Sequence, residues 1–170
     1  MRDLELYDEG KAVDFANSKN ISLPLLSWDF HLENLYSLSR LYKDMHDIKK
    51  LTSKLIVDVD LGAELKENNK VIVITDKELN IEFASANMFG MSGYLPSEIL
   101  GKTPKIFQGP ETDVVVSKKI RQYVNNQEPF DEILLNYKKN KALYKCHIKG
   151  YPIFDKKGNL QKYVAVESAA

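Results

Sequence analysis

The chain has 170 residues, of which 44% are hydrophobic and 28% charged, so it can bury one good core with or without a helical appendage. Lysine plus arginine and aspartate plus glutamate number 24 each, without long blocks of like charge, so neither nucleic acid nor an anionic membrane surface is indicated as a partner. The lone cysteine, Cys146, excludes an intramolecular disulfide and favours a reducing cytoplasm, and no apolar run approaches the roughly 20 residues of a membrane span.

Residues 1–69 are predicted to form an N-terminal helical extension. Residues 1–20 are acidic and mildly amphipathic, which predicts a short helix, and residues 21–27 predict an extended connector with Ser27 as the next N-cap. Residues 28–54 carry apolar side chains at steps of three and four, a pattern typical of a long amphipathic helix.

The apolar stripe of this long helix has two interpretations. It covers about two and a half heptads, so it could form a dimer seam or pack on the sheet of its own chain. Packing on the sheet is favoured, because coiled coils typically sustain three to four heptads. Asp60 then predicts the N-cap of a short helix through Lys66, and Asn68-Asn69 mark the boundary to a second domain of residues 70–170.

Residues 70–170 predict a small α+β domain. Strands are indicated by β-branched and apolar runs between turn residues, and helices by apolar spacings of three and four. The order is two strands, then helices, then three strands. The predicted strands are residues 71–75, 81–85, 130–137, 142–154 and 160–166, and the predicted helices are residues 86–91, 96–100 and a longer one that follows Asp113 and ends at 125–126.

Residues 101–113 have the composition of a pocket wall. Two glycines permit tight turns and two prolines stiffen the backbone. Gln108 adds an amide that both donates and accepts hydrogen bonds, close to apolar Ile106 and Phe107. This combination fits a pocket that orients a flat heteroaromatic molecule, and it fits an ordinary buried turn equally well.

Strand alternation divides the last three strands between two faces. One face of the strand through Cys146 also carries Tyr144, Ile148 and Gly150, and this face is predicted to line the core. Apolar residues also occupy the opposite faces of the neighbouring strands. An apolar outer face needs a cover, for which the helix of residues 28–54 and a second subunit are the candidates.

These features together resemble a PAS domain, and within that family the light-oxygen-voltage (LOV) branch. The resemblance runs from about Lys70 to Ala170 and implies a five-stranded antiparallel sheet with short helices on one face. The residues that carry it are Asp76, 83–85, 92–94, Glu98, Gly101, 108–113, 119–121 and 135–137.

LOV domains bind flavin mononucleotide (FMN) and form a photoadduct through the cysteine of a Gly-X-Asn-Cys-Arg-Phe-Leu-Gln motif. Gly101 and Gln108 match this motif. Thr103 stands in place of the asparagine, Pro104 in place of the cysteine, and Lys105 in place of the phosphate-pairing arginine, where it keeps the charge but loses the bidentate fork. Adduct chemistry at residue 104 is therefore impossible.

Downstream of the motif, the sequence keeps some residues of the LOV pattern and replaces others. It implies a second phosphate contact for Arg121 and a hydrogen bond between Asn136 and the flavin ring. Cys146 replaces a second ring-contacting asparagine, and Glu167 replaces a glutamine that senses the flavin N5 region. The candidate cofactor is FMN, and the candidate binding residues are Thr103, Lys105, Gln108, Arg121, Asn136, Cys146 and Glu167.

Each of these residues also has an alternative interpretation. A pocket-facing Glu167 would have a raised pKa or need a partner, unless it is half solvated near the strand end. Thr103, Gln108 and Asn136 could hydrogen-bond one another across a core without ligand, and the two cations could be solvated surface charges. Cys146 is more typical of a small buried hydrophobe than of a thiol that meets a flavin ring carbon.

The histidines have no metal-ligand spacing, and no nucleophile, base and orienting group occur together, so we predict neither a metal site nor an enzyme. We expect a cytoplasmic PAS-type sensory or regulatory module that acts on an unidentified signalling partner, or as a homodimer, through ligand-dependent or constitutive protein–protein interaction. The alternative is an FMN-binding light or redox sensor without adduct formation. A third hypothesis is a structural dimerisation module with a filled core.

Overall fold

The computed structural model describes residues 25–67 and 69–170, with side chains from residue 32 onward. The chain divides into two units, residues 1–36 and 37–170, and the fold described below is that of the second unit. The short helix predicted for residues 1–20, and the connector as far as residue 24, lie outside the described residues.

Helices and strands follow the predicted order. The helices are α1 (Leu25–Thr52), α2 (Leu61–Lys66), α3 (Met88–Ser92), α4 (Pro96–Ile99) and α5 (Val114–Asn126), with a 3₁₀ turn over Pro104–Phe107. The strands are β1 (Leu55–Ile56), β2 (Lys70–Asp76), β3 (Ile81–Ala84), β4 (Phe130–Tyr137), β5 (Leu143–Asp155) and β6 (Leu160–Ala169).

Two local predictions need correction, and two short elements were not predicted. Ser27 is not an N-cap, because α1 already begins at Leu25, and leucine is a strong helix former that extends the helix upstream. The 3₁₀ turn was not predicted, and β6 runs three residues beyond the predicted end at residue 166. The apolar run after α1 forms the short strand β1, which pairs with the end of β5 through Leu55 and Asp155.

The sheet has the order β3-β2-β6-β5-β4, and all neighbouring strands are antiparallel. The five long strands confirm the predicted antiparallel sheet, and β1 adds two residues on the edge of β5 beyond β4. The register places Glu167 of β6 opposite Val71 of β2 and Ile148 of β5, and Asn136 of β4 opposite Tyr144 of β5. These pairings bring polar residues from two strands to one face.

Both faces of the sheet carry an apolar cluster. On the outer face, Ile72, Ile74, Val164 and Val166 pack with residues of α1 and α2, among them the buried Ile48. The preferred prediction, packing of the long helix on its own sheet, is confirmed for the C-terminal half of α1. Farther upstream the stripe is exposed, since 70% of Tyr42 and 48% of Leu38 face solvent.

The inner face holds a second cluster. Val71, Val73, Ile81 and Cys146 of the sheet pack there with Met88, Met91, Ile99 and Phe107 of the short helices. The helices α3 and α4 therefore lie on one face of the sheet, as predicted, and the 3₁₀ turn lies on the same face. Among the residues that the structure describes, no helix is long and apolar enough to cross a membrane.

Candidate functional site

The inner face of the sheet has the residues that strand alternation predicted. On β5, Tyr144, Cys146 and Gly150 are buried, whereas Lys145 is exposed. Asn136 on β4 and Glu167 on β6 have only 3% and 6% of their surface exposed. The sequence pattern therefore identified the inner residues of these strands correctly.

A cavity of about 530 Å³ lies between the inner face, the 3₁₀ turn and α5. Ligand pockets typically have volumes of 300–1,000 Å³, so the space is adequate for a small organic molecule. Six of the seven candidate residues line it, and Cys146 does not. The six are Thr103, Lys105, Gln108, Arg121, Asn136 and Glu167.

The 3₁₀ turn and the cap of α5 position one wall of the cavity. Pro104 begins the turn, and Gln108 follows it in extended conformation. Asp113 Oδ1 accepts a 2.7 Å hydrogen bond from the Val115 N–H, which fixes the start of α5. Ser117 and Arg121, one helical turn apart, both line the cavity, and Ser117 Oγ lies 3.5 Å from Gln108 Oε1 as a hydrogen-bond donor.

Two buried polar atoms in residues of the cavity wall have no hydrogen-bond partner. Asn136 Oδ1 and Thr75 Oγ1 have no partner in the described residues. An unsatisfied buried polar group costs about 1–3 kcal/mol, so these atoms favour a ligand that supplies the missing bonds. The alternative in which Thr103, Gln108 and Asn136 hydrogen-bond one another is wrong for Gln108 and Asn136. Gln108 Oε1 accepts from Ser117, and Asn136 Oδ1 has no partner in the described residues.

A group of three weak acids lies on the inner face at the ends of β5 and β6. The Cys146 thiol is 3.7 Å from Glu167 Oε2 and donates a weak hydrogen bond to it. Burial raises the pKa of Glu167 to about 7. With 6% of its surface exposed, Glu167 is not half solvated as the alternative assumed, and its pKa is shifted in the direction expected for a pocket-facing carboxyl.

The two neighbours of Glu167 stay neutral. Burial raises the pKa of Cys146, and the nearby Glu167 carboxyl raises it further. Burial raises the pKa of Tyr144, and electrostatic interactions with the acidic groups of Cys146 and Glu167 raise it further. A neutral, buried thiol outside the cavity wall behaves as the small hydrophobe that was predicted, and it is not the nucleophile that meeting a flavin ring carbon would require.

The two candidate cations lie at the exposed side of the cavity. Lys105 and Arg121 are both exposed, and within the described ranges neither has a carboxylate oxygen within 4 Å. The cavity therefore has a partly polar interior that includes the ionisable Glu167, and an exposed side that carries two cations together with Glu78. This division suits a molecule with a flat ring system and an anionic tail.

Comparison with known proteins identifies the family. Residues 69–167 match the PAS domain family. The chain belongs to the PAS domain family. It is 35% identical to Phototropin-1A from Oryza sativa subsp. japonica over 112 residues, which are 64% of this chain and 12% of that protein. It is 30% identical to a blue-light photoreceptor from Listeria innocua over 106 residues, which are 61% of this chain and 42% of that protein.

A solved LOV domain has the same fold as this PAS domain. The dark structure of the blue-light photoreceptor Aureochrome1 LOV superposes with a TM-score of 0.61 and 31% sequence identity, over 68% of this chain and 86% of that one. The predicted resemblance to LOV domains is confirmed, and the chain is a PAS-type sensory signalling module. The chain spans 12% of Phototropin-1A and 42% of the Listeria photoreceptor, so the activities of those whole proteins are not assigned to it.

Sequence reasoning missed several polar residues of the PAS cavity, among them Thr75 and Ser117. Thr75 shares a strand face with Val71 and Val73, so strand alternation could have placed it inward. Ser117 lies four residues before Arg121, and helical periodicity could have placed both on one face of α5. In the described part of the chain, histidine, cysteine, aspartate and glutamate form no cluster that could hold a metal.

Proposed function

We propose that this PAS domain senses a small, flat molecule bound in the inner cavity and passes the signal to a partner protein. The observation that carries the proposal is Asn136, a residue of the cavity wall whose buried Oδ1 has no hydrogen-bond partner among the described residues. A side chain held in this way requires a ligand donor or costs folding free energy. The cavity also argues against a purely structural module with a filled core.

The ligand class that fits best is a flavin nucleotide. Asn136 and Gln108 would bind the polar edge of the ring, between apolar groups such as Ile148. Lys105 and Arg121 would hold the phosphate at the rim, where an anion stays partly solvated. Bound flavin would supply visible absorption and redox chemistry. Because residue 104 is proline, the proposal contains no cysteinyl adduct and no catalytic step.

An absorption spectrum and an FMN titration test the ligand. We expect the purified protein to show flavin absorbance, or the cofactor-free protein to quench FMN fluorescence with a single dissociation constant. Asn136→Ala should weaken FMN binding about tenfold, the effect of roughly 1.4 kcal/mol. The matched control is Asn126→Ala at the exposed end of α5. Equal weakening by both variants, or no binding at all, would refute the flavin assignment.

The second part of the proposal concerns the surface through which the domain signals. We propose that residues 1–69 form an extension to a domain of residues 70–170, and that α1 carries the signal because it packs on the sheet that forms the cavity floor. Its exposed Leu38 and Tyr42 are candidates for contact with a signalling partner or with a second copy. Light scattering of the protein with and without FMN distinguishes a ligand-dependent homodimer from a monomer that needs another partner.

A further inference from the structure

Glu167 is the buried ionisable group whose role the flavin proposal leaves open. Glu167 is one of the residues that line the cavity, and 6% of its surface is exposed. The hydrogen bond that the structure gives it comes from the Cys146 thiol at 3.7 Å, which is a weak donor. A carboxylate in such a place is poorly compensated, because a thiol supplies neither a full charge nor a strong hydrogen bond.

The surroundings of Glu167 offer acids and apolar groups in place of cations. From β5, Cys146 and Tyr144 are the titratable neighbours, and both are held in the neutral form by burial. From β2 and β5, the residues directly opposite are the apolar Val71 and Ile148. The cations of the cavity, Lys105 and Arg121, contribute no nitrogen within 4 Å of the carboxyl in the described ranges, and Glu78 of the same cavity is an exposed carboxylate.

We propose that Glu167 binds the cavity's ligand as a neutral carboxylic acid that donates its O–H to an acceptor atom of the ligand, so that binding takes up a proton. The inference rests on the proposed function of the cavity. A flat ring that fills the cavity excludes water from Glu167 and adds to the desolvation that already disfavours the charge. The ring's carbonyl or unprotonated ring nitrogen then accepts the hydrogen bond that only the protonated carboxyl can donate.

This linkage has a definite sign. Burial already raises the pKa of Glu167 to about 7 in the free protein, so the free carboxyl titrates in the neutral range. If the ligand prefers the acid, the pKa rises further in the complex, and the protein takes up a proton whenever binding occurs between the two pKa values. Affinity should therefore be constant in mild acid and fall by up to tenfold for each pH unit above neutral.

The test is the affinity of riboflavin and of FMN for the whole chain between pH 5.5 and 9. Riboflavin lacks the phosphate, whose own titration near pH 6 would otherwise contribute. Calorimetry in buffers of different ionisation enthalpy counts the protons taken up. We expect up to one proton per riboflavin bound near pH 8, and a loss of affinity of at least tenfold from pH 7 to pH 9.

Two variants make the result specific to Glu167. Glu167→Gln keeps an N–H donor but does not titrate, so its affinity should not depend on pH and its proton uptake should vanish. Glu128→Gln, an exposed change before β4, should keep both. A pH-independent affinity in the unmodified chain, or proton release, would overturn the inference while leaving the flavin proposal intact. Absence of riboflavin and FMN binding at every pH, in the chain and in both variants, would overturn both.

Discussion

The two faces of the sheet differ in how their buried side chains pack and hydrogen-bond. The outer face is apolar and covered, because Ile72, Ile74, Val164 and Val166 pack against α1 and α2. The inner face has an apolar cluster at one end and a cavity at the other, where Thr75, Asn136 and Glu167 are buried with unsatisfied or weak hydrogen bonds. The difference assigns stability to the outer face and function to the inner one, since natural proteins keep unpaired buried polar groups mainly where a site needs them.

Removal of residues 1–69 should have the largest effect on this comparison. The truncation exposes the outer face and removes the buried Ile48, Leu61 and Leu65. At about 1.5–3 kcal/mol for each fully buried aliphatic side chain, the free energy of unfolding should fall by roughly 5 kcal/mol. Urea unfolding followed by circular dichroism measures it. A truncated chain starting at Lys70 that is as stable as the full chain would show that the outer face does not depend on the extension.

The stability of the inner face should depend on pH through Glu167. Its pKa is raised from 4.5 to about 7 in the folded protein, so the folded state binds the proton more tightly than the unfolded state between these values. The stabilisation is fully present below pH 4.5 and is lost as the pH rises through 7. Two and a half pKa units correspond to about 3 kcal/mol.

Glu167→Gln tests this pH dependence in the cofactor-free protein. The variant should gain stability relative to the unmodified chain as the pH increases from 4.5 to 8, by up to about 3 kcal/mol, because the glutamine does not ionise. Urea midpoints at several pH values give the difference. Glu128→Gln at the exposed surface provides the control, and a constant difference for Glu167→Gln across this pH range would contradict the buried, unpaired carboxyl.

Asn136→Leu should separate stability from ligand binding. Leucine has the same number and branching of side-chain heavy atoms as asparagine and removes the unpartnered Oδ1, so the cofactor-free domain should gain about 1–2 kcal/mol in unfolding free energy. The same change should weaken FMN binding by at least about tenfold, because the ring loses its acceptor. Thermal unfolding with and without FMN records both effects, and a destabilised variant that still binds FMN would show that Asn136 has a structural role.

How far the sequence predicted the structure also differs between the two faces. Patterns of period two identified the inward orientation of Cys146, Asn136 and Glu167, and patterns of period 3.6 identified α1 and α5, because burial of one face dictates such spacing. The chain gives no comparable local signal for the cavity. Whether Gln108 pairs with Asn136 or with Ser117 depends on the distance between the 3₁₀ turn and β4, which is set by packing of residues far apart in sequence.

Leu38→Ala should have the smallest effect, and it tests where the outer-face cover ends. Leu38 is 48% exposed, whereas Ile48, three turns farther along α1, is 6% exposed. Surface substitutions usually change stability by less than 0.5 kcal/mol, while Ile→Ala in a core costs about 2–5 kcal/mol. Parallel urea unfolding of Leu38→Ala and Ile48→Ala therefore compares two positions of one stripe. Equal losses would mean that the upstream half of the stripe is covered in solution, and a loss for Leu38→Ala that grows with protein concentration would identify the cover as a second copy of the chain.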